Sequence, residues 1–205
     1  MLGCGYCRQL DYFEIVNNKQ REFFSVNEKK LVIFLDSGDT IIDETTEVRD
    51  SEGIVLSASV IPDADVMVKT LYNRGYTLVL VADGDAQSFK NVFKQQGLYD
   101  YFTAMIISEN IKATKPSPRM FKAAAGAIEL NEADYSRIVM VGNNLSRDIK
   151  GANALGITSV FLSWTSRYPH TPADESERPD YTIAEPLELL ELVEKLNAAL
   201  LNNVS

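Results

Sequence analysis

The sequence predicts an α/β fold, a doubly wound parallel sheet with helices on both faces. Five short apolar runs recur between residues 31 and 162, each continuous rather than alternating, as expected of strands buried on both sides. Amphipathic segments with helical spacing separate these runs, and strand–helix alternation of this length implies parallel strands joined by crossover helices. Asp36, Asp83, Lys115 and Asn143 fall at the ends of runs or a few residues beyond them. In open α/β sheets that edge is where ligands bind.

Leu31–Leu35 opens the series and leads directly into Asp36. A carboxylate at the end of a buried strand is costly unless it is paired or put to use. The stretch VRDSEGIVLSASV, within residues 41–61, reads as a short hairpin turning near Glu52-Gly53. Pro62 and Gly75 then bracket a helix whose Ala64, Met67, Val68 and Leu71 recur at i, i+3, i+4 and i+7. Thr77–Val81 is the second strand, and Phe89, Val92 and Phe93 mark a helix ending near Gly97. Ala104–Ile107 is the third strand, followed by a helix carrying Met120, Phe121, Ala124, Ala125 and Ile128. Ile138–Val141 is the fourth strand, and Ile149, Ala152 and Leu155 before Gly156 mark the next helix. Ser159–Leu162 closes the series.

Residues 161–180 read as a polar, proline-bearing loop at the same end of the sheet as Asp36. Its Trp164, Arg167 and Tyr168 are equally suited to contact with a substrate, contact with a partner subunit, or plain exposure. A last helix, from Pro186 to about Leu201, carries Leu187, Leu190 and Val193 opposite Glu188 and Glu191 and reads as a packing helix. Residues 1–28 form an N-terminal extension ahead of a domain at 29–205; their Tyr12, Phe13, Ile15 and Val16 fit either a hairpin around Asn17-Asn18 or a short helix.

Composition narrows the function classes. A net charge of −9 and a pI near 4.7 disfavour nucleic acid as the main partner, although local fields still permit anionic substrates. No apolar run reaches the length of a membrane span, and the first residues lack a basic-then-apolar leader, so the expectation is a cytoplasmic protein without membrane contact. Cys4 and Cys7 supply half the ligands of a zinc site with no histidine nearby to complete it. His170 is the single histidine, which leaves little material for a Ser-His or Cys-His pair.

Four segments in order carry a resemblance. They are Asp36-x-x-x-Thr40 after the first strand, GYTLVLVADG with Ala82 after the second, Lys115-Pro116 ahead of a helix, and VGNNLSRDIKGANALGI containing Asn143 and Asp148. Together they resemble motifs I to IV of the haloacid dehalogenase superfamily, hydrolases built on a Rossmann-like sheet. The resemblance implies a magnesium-dependent phosphatase in which Asp36 attacks a phosphoryl group and forms an aspartyl-phosphate that water hydrolyses. Repulsion between that carboxylate and a phosphate dianion must then be offset by Mg2+ and a lysine. On this reading Lys115 is the charge clamp, while Asp36, Gly38, Asn143 and Asp148 stand at the metal positions. Ala82, Asp83 and Lys115 stand at the phosphate positions.

The departures from the family pattern are equally specific. Phosphatases of the superfamily place a second aspartate two residues after the first, as proton donor to the leaving oxygen; here that position is Gly38. Asp39, one residue further along a tight turn, is expected to point elsewhere, and Asp83 is the candidate substitute acid–base group. Ala82 replaces a hydroxyl residue and offers only its backbone N–H, and Asn143 replaces a metal-binding acid. Residues 41–61 leave no room for the large helical cap carried by the dehalogenase and phosphonatase branches. The expectation is therefore a capless enzyme favouring aryl or acyl phosphates. Its substrate is a phosphorylated compound of unassigned identity, and the resemblance to capless relatives implies either a large substrate or a homo-oligomer in which a second subunit serves as lid. The alternative is a fold that has lost catalysis and binds a phosphorylated ligand or a protein partner.

Overall fold

The computed structural model describes residues 31–202. The extension at 1–28, with Cys4 and Cys7, lies outside the described residues. Eight strands are present among the described residues: β1 (Val32–Leu35), β2 (Val48–Arg49), β3 (Val55–Ser57), β4 (Thr77–Ala82), β5 (Ala104–Ile107), β6 (Ile138–Gly142), β7 (Thr158–Leu162) and β8 (Tyr181–Ile183). Between and after them come α1 (Ala64–Asn73), α2 (Ala86–Gln95), α3 (Ser108–Ile111), α4 (Pro118–Ala127), α5 (Lys150–Asn153) and α6 (Glu188–Asn202).

Six strands form one parallel sheet in the order β5-β4-β1-β6-β7-β8. Strand β1 is an interior strand flanked by β4 and β6, with Leu35 beside Leu80 and Val141. Alternate residues of the strands supply two cores. Ile33, Leu35, Leu78, Leu80, Val139 and Val141 join Met67 and Leu71 of α1, Phe93 of α2 and Val193 of α6. Val32, Phe34, Val79, Val81 and Met140 join Met120 and Phe121 of α4 and Ala152 of α5. Continuous apolar strands are thus buried on both faces, which is the doubly wound α/β arrangement the sequence predicts.

No large cap is present among the described residues. The segment in its place is the antiparallel β2–β3 hairpin. Its turn is held by Asp50, whose Oδ1 accepts the N–H groups of Glu52 and Ile54 at 2.9 Å each, and Gly53 takes a φ of +88°. The hairpin is tied to α2: Ser88 Oγ accepts the Val55 N–H and Asn91 Nδ2 donates to the Val55 carbonyl, both at 3.0 Å.

Two features depart from the sequence expectation. The loop at 161–180 is followed by a sixth strand of the sheet, β8, whose Thr182 pairs with Phe161. The helix expected through Ile149, Ala152 and Leu155 is instead a π-helical turn at Leu145–Ile149 followed by the short α5. Such wide turns are frequent at functional sites. Here the turn carries Asp148 under the end of β6.

Candidate active site

Asp36 follows β1 at the carboxyl edge of the sheet, and its backbone N–H donates to the Val141 carbonyl at 3.0 Å. The chain then folds back on itself. Ser37 accepts from the N–H groups of Ile41 and Ile42 at 2.8 and 2.9 Å, and Asp39 takes a φ of +50°. This compact turn holds the Asp36 carboxylate at the strand end while burying Asp39 and Thr40. As expected, the Asp39 side chain is engaged elsewhere. Its Oδ2 pairs with Arg167, and its Oδ1 accepts the Glu44 N–H at 3.0 Å.

Lys115 enters from the loop between α3 and α4. Ser117 caps α4 and Pro118 begins it, which starts the helix just after the lysine. The lysine's ammonium is 2.6 Å from Asp36 Oδ1, 2.6 Å from Asp148 Oδ1 and 2.9 Å from the Val81 carbonyl. The side chain is almost fully buried. Burial acts to lower its pKa, but the carboxylates of Asp148, Asp36 and Asp83 outweigh that and raise it, so Lys115 is charged.

Asp148 is held from its other oxygen, Oδ2 accepting the Asn144 N–H at 3.0 Å. Gly142 makes this possible, since a Cβ there would stand 2.6 Å from the Asp148 Cβ. The Asp148 carboxyl is raised to about 7: burial drives the rise, Lys115 opposes it, and the Asp36 charge adds to it.

The rise gives a stability prediction for the metal-free protein. The folded state keeps a proton on Asp148 that the unfolded chain releases near the ordinary 3.8. Folded protein therefore binds more protons across that window, and stability falls as pH rises from about 4 to about 7. Melting temperature measured in a chelator should decline through this range, and Asp148→Asn should remove most of the slope.

Asp83 and Ala82, at the end of β4, line a cavity of about 130 Å³ together with Asp36, Gly38, Glu44 and Arg147. Asp83 Oδ1 accepts the Lys115 backbone N–H at 3.0 Å, and its Oδ2 lies 3.6 Å from Arg147 Nη1. Arg147 also donates from Nη2 to the Tyr168 hydroxyl at 2.8 Å. Asn143, just past β6, is buried, and neither its amide oxygen nor its amide nitrogen has a hydrogen-bond partner. The structure thus brings Asp36, Lys115 and Asp148 into direct contact. Ala82, Asp83 and Gly38 share one cavity with Asp36, and Asn143 is left with unused donor and acceptor capacity.

Three residues near this site escaped the sequence reading or entered it in another role. Arg147 lies inside the fourth motif but matches no motif position. Glu44 shares the cavity and has a raised pKa, mainly from burial and then from Asp39, with Arg167 opposing. Arg167 joins Asp39 and Glu44 rather than standing free in its loop, with Nε 3.6 Å from Glu44 Oε2.

Comparison with known proteins gives this geometry a family. Over 135 residues the chain is 30% identical to a glyceraldehyde 3-phosphate phosphatase of Methanopyrus kandleri, covering 66% of this chain and 57% of that one. The chain spans about half the length of the curated relatives it matches. A HAD phosphatase structure from Thermococcus onnurineus shares the fold with a TM-score of 0.64 at 20% identity, over 80% of this chain and 97% of that one. A HAD-hydrolase structure from Bacillus subtilis bound to magnesium does so with a TM-score of 0.66 at 15% identity, over 81% and 99%. The family model for haloacid dehalogenase-like hydrolases matches residues 6–162, and the chain belongs to that family.

Proposed function

We propose that the protein is a magnesium-dependent phosphoric-ester hydrolase working through an aspartyl-phosphate on Asp36. One observation carries the reading: a single buried ammonium, Lys115 Nζ, lies 2.6 Å from both Asp36 and Asp148 beside an open cavity. Two carboxylates against one ammonium leave net negative charge in a buried place. That arrangement is stable when a cation or a proton completes it. The curated relative from Methanopyrus, a phosphatase, supports the reaction class.

The residues fit Mg2+. Its preference is for oxygen donors, few of them carboxylates, with waters completing the shell. Asp36, Asp148, the Gly38 carbonyl and the Asn143 amide oxygen would hold it, and the unpartnered Asn143 side chain is the observation that favours this set. Among the described residues no group of three or more His, Cys, Asp or Glu side chains could hold a metal, so amide and backbone oxygens are needed. Bound there, Mg2+ would offset phosphoryl charge against the attacking carboxylate.

The chain's own residues do the rest. Lys115 donates to Asp36 Oδ1 and would draw the phosphoryl oxygens towards it. The backbone at Ala82 lines the phosphate side, and Asp83 fixes the Lys115 backbone from the same strand end. Asp36 attacks phosphorus, the bond to the leaving oxygen breaks, and water later cleaves the acyl phosphate. The test is a panel of phosphate esters assayed with and without Mg2+, with Asp36→Asn as blank. Mg2+-dependent phosphate release absent from the blank supports the reading. Absence of release from every ester by folded, Mg2+-supplied protein overturns it.

A further inference from the structure

A carboxylate is missing from position 38, yet the space it would use is not empty. A Cβ added to Gly38 would overlap Glu44 Oε1, and would stand 2.7 Å from Glu44 Cδ and 3.1 Å from its Cγ. The carboxyl group of Glu44 therefore occupies the volume of a side chain two residues after Asp36. The backbone explains how a residue six positions further along reaches it. The turn closes with a bridge between Gly38 and Ile42, and Asp43 then caps a 3-10 turn that begins with Glu44.

Glu44 is also held. Its N–H donates to Asp39 Oδ1 at 3.0 Å, its Oε2 lies 3.6 Å from Arg167 Nε, and Arg167 is itself paired with Asp39 Oδ2. Oε1, the oxygen facing Gly38, is not the one nearest Arg167. Glu44 lines the same cavity as Asp36, Gly38 and Asp83. Asp83 lines the cavity too, but its Oδ1 accepts the Lys115 N–H and the volume over Gly38 is filled by Glu44.

We propose that Glu44 is the acid–base group of this enzyme, delivering from a neighbouring turn the carboxylate that Gly38 lacks. The inference rests on the phosphatase reading and extends its substrates to alkyl phosphates, whose leaving oxygen needs a proton. In the first half-reaction Asp36 bonds to phosphorus, the phosphorus–oxygen bond to the alcohol breaks, and the alcohol oxygen takes the proton of the Glu44 carboxyl. In the second, Glu44 takes a proton from water, the water oxygen bonds to phosphorus, and Asp36 departs as carboxylate. Phosphate is released and Glu44 ends protonated, as it began.

The role of Asp39 and Arg167 follows from this. They are positioning residues, because Asp39 accepts the Glu44 N–H and Arg167 lies beside the Glu44 carboxylate.

The test uses glycerol 3-phosphate and 4-nitrophenyl phosphate with Mg2+, on the wild type, Glu44→Gln, and the double variant Gly38→Asp with Glu44→Ala. Wild-type protein should turn over both esters. Glu44→Gln should lose about 10²–10⁴-fold in steady-state turnover of glycerol 3-phosphate. With 4-nitrophenyl phosphate it should still release one nitrophenolate per protein rapidly and then stall, because that leaving group needs no proton while the water step needs a base. The double variant, with the carboxylate returned to position 38, should regain glycerol 3-phosphate turnover. Loss of the rapid nitrophenolate release in Glu44→Gln, or alkyl turnover within about threefold of wild type, overturns the role of Glu44. Hydrolysis of neither ester by wild type overturns the phosphatase reading itself, and this proposal with it. Aryl but not alkyl hydrolysis by wild type overturns only the proposal for Glu44.

Discussion

Asp36→Asn is expected to lower phosphate-ester turnover by at least about 10⁴-fold, since a covalent pathway has no substitute for its nucleophile. The amide has nearly the shape of the carboxylate, and its oxygen can still accept from Lys115 Nζ, which lies 2.6 Å from Asp36 Oδ1. Folding should therefore be preserved. What is lost is the negative charge and the lone pair that attacks phosphorus. Initial rates on phenyl phosphate with Mg2+, read beside the melting temperature of the same variant, check the expectation. A folded variant keeping more than about a hundredth of wild-type turnover would place the nucleophile elsewhere.

Lys115→Met should have the largest effect on stability, and the effect should depend on pH. The ammonium is buried and bonds to two carboxylates and the Val81 carbonyl. Removing one partner of a buried ion pair costs about 3–5 kcal/mol, because the remaining charge is left without compensation. Asp148 offers a partial escape by taking a proton, and its pKa is already raised to about 7 with the lysine present. The cost in metal-free protein should be near the full amount at pH above about 8 and clearly smaller near pH 6. Urea unfolding of wild type and variant at the two pH values measures it. Equal costs at both would mean that Asp148 does not carry the compensating proton. Turnover should fall as well, since the phosphoryl group loses its cationic partner.

How much of this was legible in the sequence depended on whether a signal was local. The five strands of the central sheet were, because each is a continuous apolar run that only a doubly covered strand satisfies. Strand β8 was not. It has three residues, Tyr181 and Thr182 are exposed, and its place beside β7 is set by pairing rather than by its own apolarity. The π turn carrying Asp148 gave no signal either, since its spacing of Leu145 and Ile149 also fits an α-helix. At the site, Asp36 and Lys115 stood out as charged residues at or just past strand ends, Asp148 entered through the family resemblance, and the structure sets Lys115 against both carboxylates.

Glu44 was invisible for a different reason. Nothing in its own neighbourhood marks it. Its meaning comes from the volume above Gly38, which exists only once the turn has closed. A glycine at a position where related enzymes carry a carboxylate reads along the chain as a loss, and in three dimensions as space filled by another side chain. The same logic separates the active reading from one in which catalysis has decayed. Decay explains Ala82 and Asn143 individually, but gives no reason for a second carboxylate to stand where position 38 would have placed one.

The central claim is that Asp36 becomes covalently phosphorylated during turnover. The direct measurement is to mix the protein with 4-nitrophenyl phosphate and Mg2+, quench in acid during turnover, digest, and weigh the peptides. The account predicts one added phosphoryl group on the peptide containing Asp36, labile to hydroxylamine, enriched in Glu44→Gln and absent from Asp36→Asn. Continued turnover with no adduct on that peptide in Glu44→Gln, or with the adduct on a different side chain, would contradict it.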